Sequence, residues 1–195
     1  MTSFIRNSFL EARNRLSEFL SNEGNLHRIE ITAGIIVETI RGGGKILTAG
    51  NGGSMCDAMH LAEELSGRYR SDRPPLPAIA LSDPAHMSCV ANDYGFGEVF
   101  ARQVTALGRD GDVLVLFTTS GNSPNLIRAA EEAKKKKMIV AALLGRGGGK
   151  LMHYCDHFIM APGETSDRIQ ELHIKIVHIL IEAVERTLYP ELYRT

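Results

Sequence analysis

Apolar residues Ile5, Phe9, Ala12, Leu16, Phe19 and Leu20 recur at helical spacing, and Leu26, Ile29, Ala33, Ile36, Val37 and Ile40 repeat the pattern beyond a polar stretch at 22–25. Two amphipathic helices are predicted, the second stopped by Gly42, Gly43 and Gly44, since glycine just past a helix end lets the chain turn away. From Lys45 the texture changes. Short apolar runs, KILTAG, PAIALS, DVLVLF, MIVAALLG and HFIM, are separated by segments at 54–69, 96–107 and 123–137 with helical periodicity. Runs so short and so uniformly apolar suit strands buried on both faces, and strand-helix alternation predicts a parallel sheet. The expected fold class is α/β: a three-layer, doubly wound, five-stranded parallel sheet of flavodoxin-like order 2-1-3-4-5, with extra N-terminal helices. Residues 1–195 are expected to form one domain, with a helical hairpin at 1–41 serving oligomer packing and an α/β core at 45–195.

A last helix is predicted over Asp167 to Leu188, with Leu172, Ile174, Ile176, Val177, Ile179, Leu180 and Ile181 around more than one face. A helix apolar nearly all round must be buried on most sides. A chain of 195 residues has little with which to enclose its terminal helix so fully, so a homo-oligomer is expected; the alternative is a central helix within one subunit.

Composition narrows the function. With 44% hydrophobic residues the chain can bury one substantial core, and 22 basic against 23 acidic residues leave a net charge of -1. No global field recruits nucleic acid or an anionic membrane, so a small-molecule partner is expected. The one charge run, Lys134 to Lys137, ends a predicted helix and has no interleaved aromatics, which suits dipole complementation in water. Cys56, Cys89 and Cys155 lack C-x-x-C spacing and are expected to be buried reduced thiols. The start, MTSFIRNSFLEARNRL, has no signal-peptide core of about 7 to 15 apolar residues, and no run approaches the ~20 that span a bilayer. A cytoplasmic protein is expected.

Two strand-to-helix turns carry candidate chemistry. AGNGGSMCDAMH places Gly50, Gly52 and Gly53 before Ser54 at a helix start, where free N–H groups and the positive dipole end suit an anion. The dinucleotide spacing fails, because the sixth position from Gly50 is Met55, and no P-loop Lys-Ser/Thr follows. FTTSGNSPN presents Thr118, Thr119, Ser120 and Ser123 around Gly121, with Pro124 suited to the first helical position after an N-cap Ser123. In the expected strand order the two turns flank the switch point where ligands bind. Neither offers Lys or Arg, so hydroxyls and N–H groups would hold a phosphate. A further cluster, GRGGGK at 145–150, reads as a flexible loop.

Downstream of the first turn, His60 and Glu64 share a helix face at i and i+4, a spacing that suits two metal ligands and equally an ordinary hydrogen bond, with Arg68 one turn further. His178 lies in an apolar stretch where a buried imidazole needs a partner, and His173 competes with it.

GNGGS, TSGNS and RIQELH together resemble the sugar isomerase domain family. The longer segments GNGGSMCDAMHLAEELSGRYR, ANDYGF and SDRIQELHIKIVHILIE are similar to its phosphoheptose isomerases over nearly the whole chain. The resemblance implies conversion of D-sedoheptulose 7-phosphate to D-glycero-D-manno-heptose 7-phosphate through an enediol, supplying activated heptose for lipopolysaccharide. It implies Glu64 as general base and His178 as general acid. It also implies a zinc ion on His60, Glu64, Gln170 and His178. Substrate would be held by Asn51, Gly52, Gly53, Ser54, Glu64, Arg68, Thr118, Thr119, Ser120, Ser123 and Gln170, with Asn92, Asp93 and Asp167 on sugar hydroxyls. A homotetramer with active sites at subunit interfaces is implied too. Residues eight apart on a helix stand about 12 Å apart along its axis, so Gln170 and His178 meet one metal only if that helix begins late or different subunits contribute. A non-catalytic partner-binding or sugar-phosphate-sensing domain would keep the phosphate turns without needing His60, Glu64 and His178 together. An etherase-like lyase acting on an amino-sugar phosphate is disfavoured by the chain's short length.

Overall fold

The computed structural model describes residues 2–194. Helices α1 (Thr2–Leu20) and α2 (Glu23–Arg41) come first, and the Asn22 side chain caps α2 by accepting from Gly24 N–H. The remainder alternates β1 (Ile46–Gly50), α3 (Gly53–Ser66), β2 (Ala78–Ala80), α4 (Pro84–Tyr94), α5 (Val99–Leu107), β3 (Val113–Thr118), α6 (Pro124–Lys135), β4 (Ile139–Leu144), β5 (His157–Met160) and α7 (Ser166–Leu188). All neighbouring strands pair parallel in the order β2-β1-β3-β4-β5, with Gly50 opposite Phe117 and Thr118 opposite Leu144.

Strand periodicity sorts the core into two layers. Val113, Val115 and Phe117 face one side with Leu61 and Leu65 of α3, Ile36 of α2 and Val177 of α7. Leu114 and Leu116, between them in sequence, face the other side with Val90 of α4, Phe100 of α5 and Leu126 of α6. The first and third strand ends therefore meet at the switch point, each feeding a helix.

Several sequence expectations change. The β2 strand is a short edge with Ile79 45% exposed, not a strand buried on both faces, because among the described residues no strand pairs with its outer side. The helix α4 was not predicted: PAHMSCVANDY buries only Val90, too little for an apolar stripe, although Asp83 capping His86 N–H ahead of Pro84 is a legible start signal. Cys56 and Cys89 are exposed free thiols rather than core residues, while burial pushes the half-buried Cys155 thiol up to about 12. The helix α7 is enclosed largely within the subunit, between α2 and α3, leaving Ile179 as its exposed large apolar residue. Unburied apolar surface lies on α1 instead, where Phe4 is 63% and Phe9 76% exposed. Among the described residues no helix is long and apolar enough to cross a membrane.

Candidate active site

Three helix starts converge beyond the carboxyl ends of β1 and β3. Asn51, Ser54, Thr118, Thr119, Ser120, Ser123, Ser166 and Gln170 line a polar pocket of about 180 Å³ at the N-termini of α3, α6 and α7. N-terminal dipole ends aimed at one volume favour an anion there. A reciprocal amide pair, Asn51 Nδ2 to Asn125 Oδ1 at 3.0 Å and Asn125 Nδ2 to Asn51 Oδ1 at 2.8 Å, ties the two turns together.

The hydroxyls divide by task. Thr118 Oγ1 accepts from Gly121 N–H at 3.1 Å and so closes its own turn, while Ser120 Oγ accepts from Asn122 N–H at 3.2 Å. Ser123 stands at the N-cap position of α6 yet makes no capping bond, so its hydroxyl stays free for a ligand. Gly52 adopts a φ of +56°, and a Cβ on Gly53 would fall 2.7 Å from the Gln170 amide, so glycine lets α7 approach the turn. Gln170 Nε2 lies 3.4 Å from Ser54 Oγ.

Further along α3, a second cluster forms against α7. His60 Nε2 is 3.2 Å from Glu64 Oε1 and 3.0 Å from His178 Nε2, and one ligand atom from each of the three residues lies within 4.8 Å of the others. Glu64 Oε2 is buried without a hydrogen-bond partner. Two imidazole nitrogens and a carboxylate oxygen facing one point, with more lone pairs than protons to share, form a donor set that fits a divalent cation. Burial is the main cause holding the His178 imidazole below its ordinary value; His60 reinforces it and Glu64 opposes it. The ring is accordingly neutral near neutral pH, as a ligand or proton donor–acceptor requires.

The helices α3 and α7 run side by side, with Gln170 at Ser54 and His178 at His60, two levels of one seam. The helix α7 begins at Ser166, so within one subunit Gln170 belongs to the anion pocket and stands apart from the His60–Glu64–His178 cluster. Arg68 is not on the Glu64 helix face, because α3 ends at Ser66 and the chain breaks away at Gly67. Asn92 and Asp93 are exposed at the end of α4 and bond to each other at 2.7 Å. Asp167 is exposed, and Thr165, above all, keeps its carboxyl below the ordinary range. His173 is fully buried, bonds Leu144 C=O at 3.3 Å and takes no part in either cluster.

A SIS domain family model matches residues 8–145. A phosphoheptose isomerase of Escherichia coli O7:K1 is 51% identical over 183 residues, covering 93% of this chain and 95% of that protein. This chain belongs to the SIS domain family, among the phosphoheptose isomerases. The Escherichia fergusonii phosphoheptose isomerase is 50% identical with the same coverage. Solved phosphoheptose isomerases from Neisseria gonorrhoeae and Francisella tularensis superpose with TM-scores of 0.88 and 0.89 at 37% identity. They cover 94% and 95% of this chain, and this chain covers 98% and 100% of theirs.

In this SIS domain, several neighbours of the site lie outside the residues expected from the sequence. Tyr69 stacks on His178 with ring centroids 6.1 Å apart, and Ser166 Oγ lies 3.2 Å from Thr119 Oγ1 in the pocket. Arg73, buried, pairs with Glu185 of α7 at 2.8 Å and donates to the Glu64 and Leu65 carbonyls, fastening the end of α3 to α7. Only Ser166 had a usable signal, as a hydroxyl at a third helix start.

Proposed function

We propose that the chain interconverts D-sedoheptulose 7-phosphate and D-glycero-D-manno-heptose 7-phosphate by proton transfer between adjacent carbons. The observation that carries this reading is the spacing of the two clusters. Ser54 and His60 are six residues apart on α3, about 9 Å along its axis. Six carbon–carbon bonds of ~1.5 Å put C1 of an extended heptose roughly 8 Å from C7. A phosphate on C7 anchored among Ser54, Thr119, Ser120 and Ser123 thus delivers C1 and C2 to Glu64 and His178.

The Glu64 carboxylate removes a proton from C1; the C1–H electron pair forms the C1=C2 bond and O2 gains a proton, giving the enediol. Return of a proton to C2 and loss of the O1 proton leave the aldehyde at C1. His178, where its Nε2 is not engaged by a metal, moves the proton at oxygen, and the unpartnered Glu64 Oε2 is the free base atom. His60, Glu64 and His178 would hold a zinc ion, with Gln170 kept at the phosphate end; bound there, it would polarise the substrate oxygens. A non-catalytic partner-binding domain leaves this cluster without a purpose.

The exposed Phe4 and Phe9, and an apolar groove of about 420 Å³ lined by Leu16, Leu20, Ile29, Ile176 and Ile179, support packing between subunits, in keeping with the proposed homotetramer. Asn92, Asp93 and Arg68, all exposed, would reach the sugar across a subunit interface. Cytoplasmic residence fits a phosphorylated substrate.

The test is turnover of sedoheptulose 7-phosphate in deuterium oxide, with and without a chelator. One solvent deuterium at C2 of the aldose supports the reading, and a wild-type protein that neither isomerises nor exchanges the ketose sinks it. Loss of turnover on chelation, restored by zinc, supports the metal.

A further inference from the structure

The pocket that would take the phosphate has no cation among its lining side chains, although a phosphate monoester is close to a dianion at neutral pH. One guanidinium stands on its rim. Arg146 Nη2 lies 3.2 Å from Ser166 Oγ, which is 3.2 Å from Thr119 Oγ1, and both hydroxyls line the pocket. Among the described residues Arg146 enters no ion pair, whereas the neighbouring Asp167 carboxylate is drawn to Arg168, 3.5 Å away.

The backbone beneath Arg146 is the second observation. Its φ is +44°, the first of four successive left-handed residues, followed by Gly147 at +76°, Gly148 at +82° and Gly149 at +56°. Glycine adopts that region freely, whereas a residue with a Cβ does so at a cost. Glycine at 146 would make the same turn without strain, so the strain brings nothing except a side chain. The loop is also no loose tether. Leu151 N–H bonds Gly121 C=O at 2.8 Å, Lys150 N–H bonds Asn122 Oδ1 at 3.1 Å, and a Cβ on Gly121 would fall 1.8 Å from Gly148 O. Residues 145–150, expected from sequence to be flexible, are pressed onto the phosphate turn, and a strained non-glycine residue at such a place is a mark of function.

We propose that Arg146 is the cation of the phosphate pocket, exchanging its bond to Ser166 for paired N–H contacts to a phosphate monoester held by Thr119, Ser120 and Ser123. The planar fork of a guanidinium matches two phosphate oxygens, and a dianion offers it more than a neutral hydroxyl does. The proposal rests on the sugar-phosphate reading of this pocket.

The experiment compares the full-length protein with R146Q, R146K and R146G. It reads steady-state kinetics on sedoheptulose 7-phosphate, competitive inhibition by inorganic phosphate, and thermal unfolding. R146Q is expected to lower kcat/KM about ten- to a hundredfold, carried by KM, and to raise the inhibition constant of phosphate by the same factor. R146K recovers part of the loss, since an ammonium supplies charge without the fork. Wild-type KM rises with ionic strength more steeply than that of R146Q. R146G melts at or above the wild-type temperature while binding phosphate as weakly as R146Q. Unchanged KM and phosphate inhibition in R146Q overturn the proposal, as does an R146G protein that melts lower and keeps its phosphate affinity. Should the wild type not turn over the heptulose phosphate, the isomerase reading fails separately. Arg146 is then judged by calorimetric titration of inorganic phosphate into wild type and R146Q, where equal affinities refute it.

Discussion

His173 sits in the first half of α7 with no exposed surface, its Nε2 3.3 Å from Leu144 C=O at the end of β4, its ring edge-on to Phe117, and its Nδ1 without a partner. Burial, outweighing the bond to Leu144, pushes the imidazole from an ordinary 6.5 down to about 4. Above pH 6.5 the ring is neutral in folded and unfolded chains alike, so its environment contributes fully. As pH falls through 6.5 the unfolded chain takes up a proton that the folded chain refuses, and stability drops until the folded ring titrates near 4. At about 1.4 kcal/mol for each tenfold change in proton affinity, the whole effect is about 3 kcal/mol, a large share of a typical stability. Asp57 acts in the opposite sense. Burial raises its carboxyl to about 6, against the pull of His60, so the folded chain protonates first between about 6 and 3.8 and gains stability there. The wild-type curve alone therefore mixes several effects, the shifted His178 and Asp167 among them, and the comparison must be with H173Q, which keeps a donor for Leu144 but does not titrate. Urea unfolding at fixed protein concentration should show a wild-type minus H173Q difference that is flat above pH 7 and falls by about 3 kcal/mol toward pH 4. Parallel curves from pH 7.5 to 4 would refute the assignment of a neutral, proton-excluding His173.

E64Q and H178Q should each lose about 10²- to 10⁴-fold in turnover and in deuterium incorporation while still binding inorganic phosphate, and full activity in either removes that residue from the chemistry. Gly121→Ala adds a Cβ 1.8 Å from Gly148 O at a φ of +64°, so it should unfold at lower urea by more than the ~1–2 kcal/mol of the backbone strain alone. An unchanged midpoint would mean the 145–150 loop yields freely. E185A strands the buried Arg73 guanidinium, whose side chain is 1% exposed, and should cost about 3–5 kcal/mol by urea titration. A paired replacement of both residues by apolar side chains should recover most of it, and failure to recover would place the stability in the Arg73 bonds to the Glu64 and Leu65 carbonyls instead.

Local pattern was enough for the strands, for most of the helices and for parallel pairing, because each buried element announces itself through its own apolar period and strands alternate with helices. Both turns that line the polar pocket were legible for the same reason: glycine and hydroxyl residues at a strand-to-helix turn carry their chemistry within a few residues of chain. The helix α4 escaped because it buries a single residue, Val90, and so leaves almost no period to read. What pattern could not supply was which side chains share a volume. That Gln170 turns to Ser54 while His178 turns to His60 follows from how α3 and α7 lie against each other, a packing of residues more than a hundred positions apart. The same holds for Arg146, placed at the pocket because its loop docks on Gly121, for Tyr69 over His178, and for the Arg73–Glu185 pair. Hydrophobic period is a property of one segment and survives in the sequence. The meeting of charges and lone pairs is a property of two or more segments in space, and only close packing of the folded chain decides it.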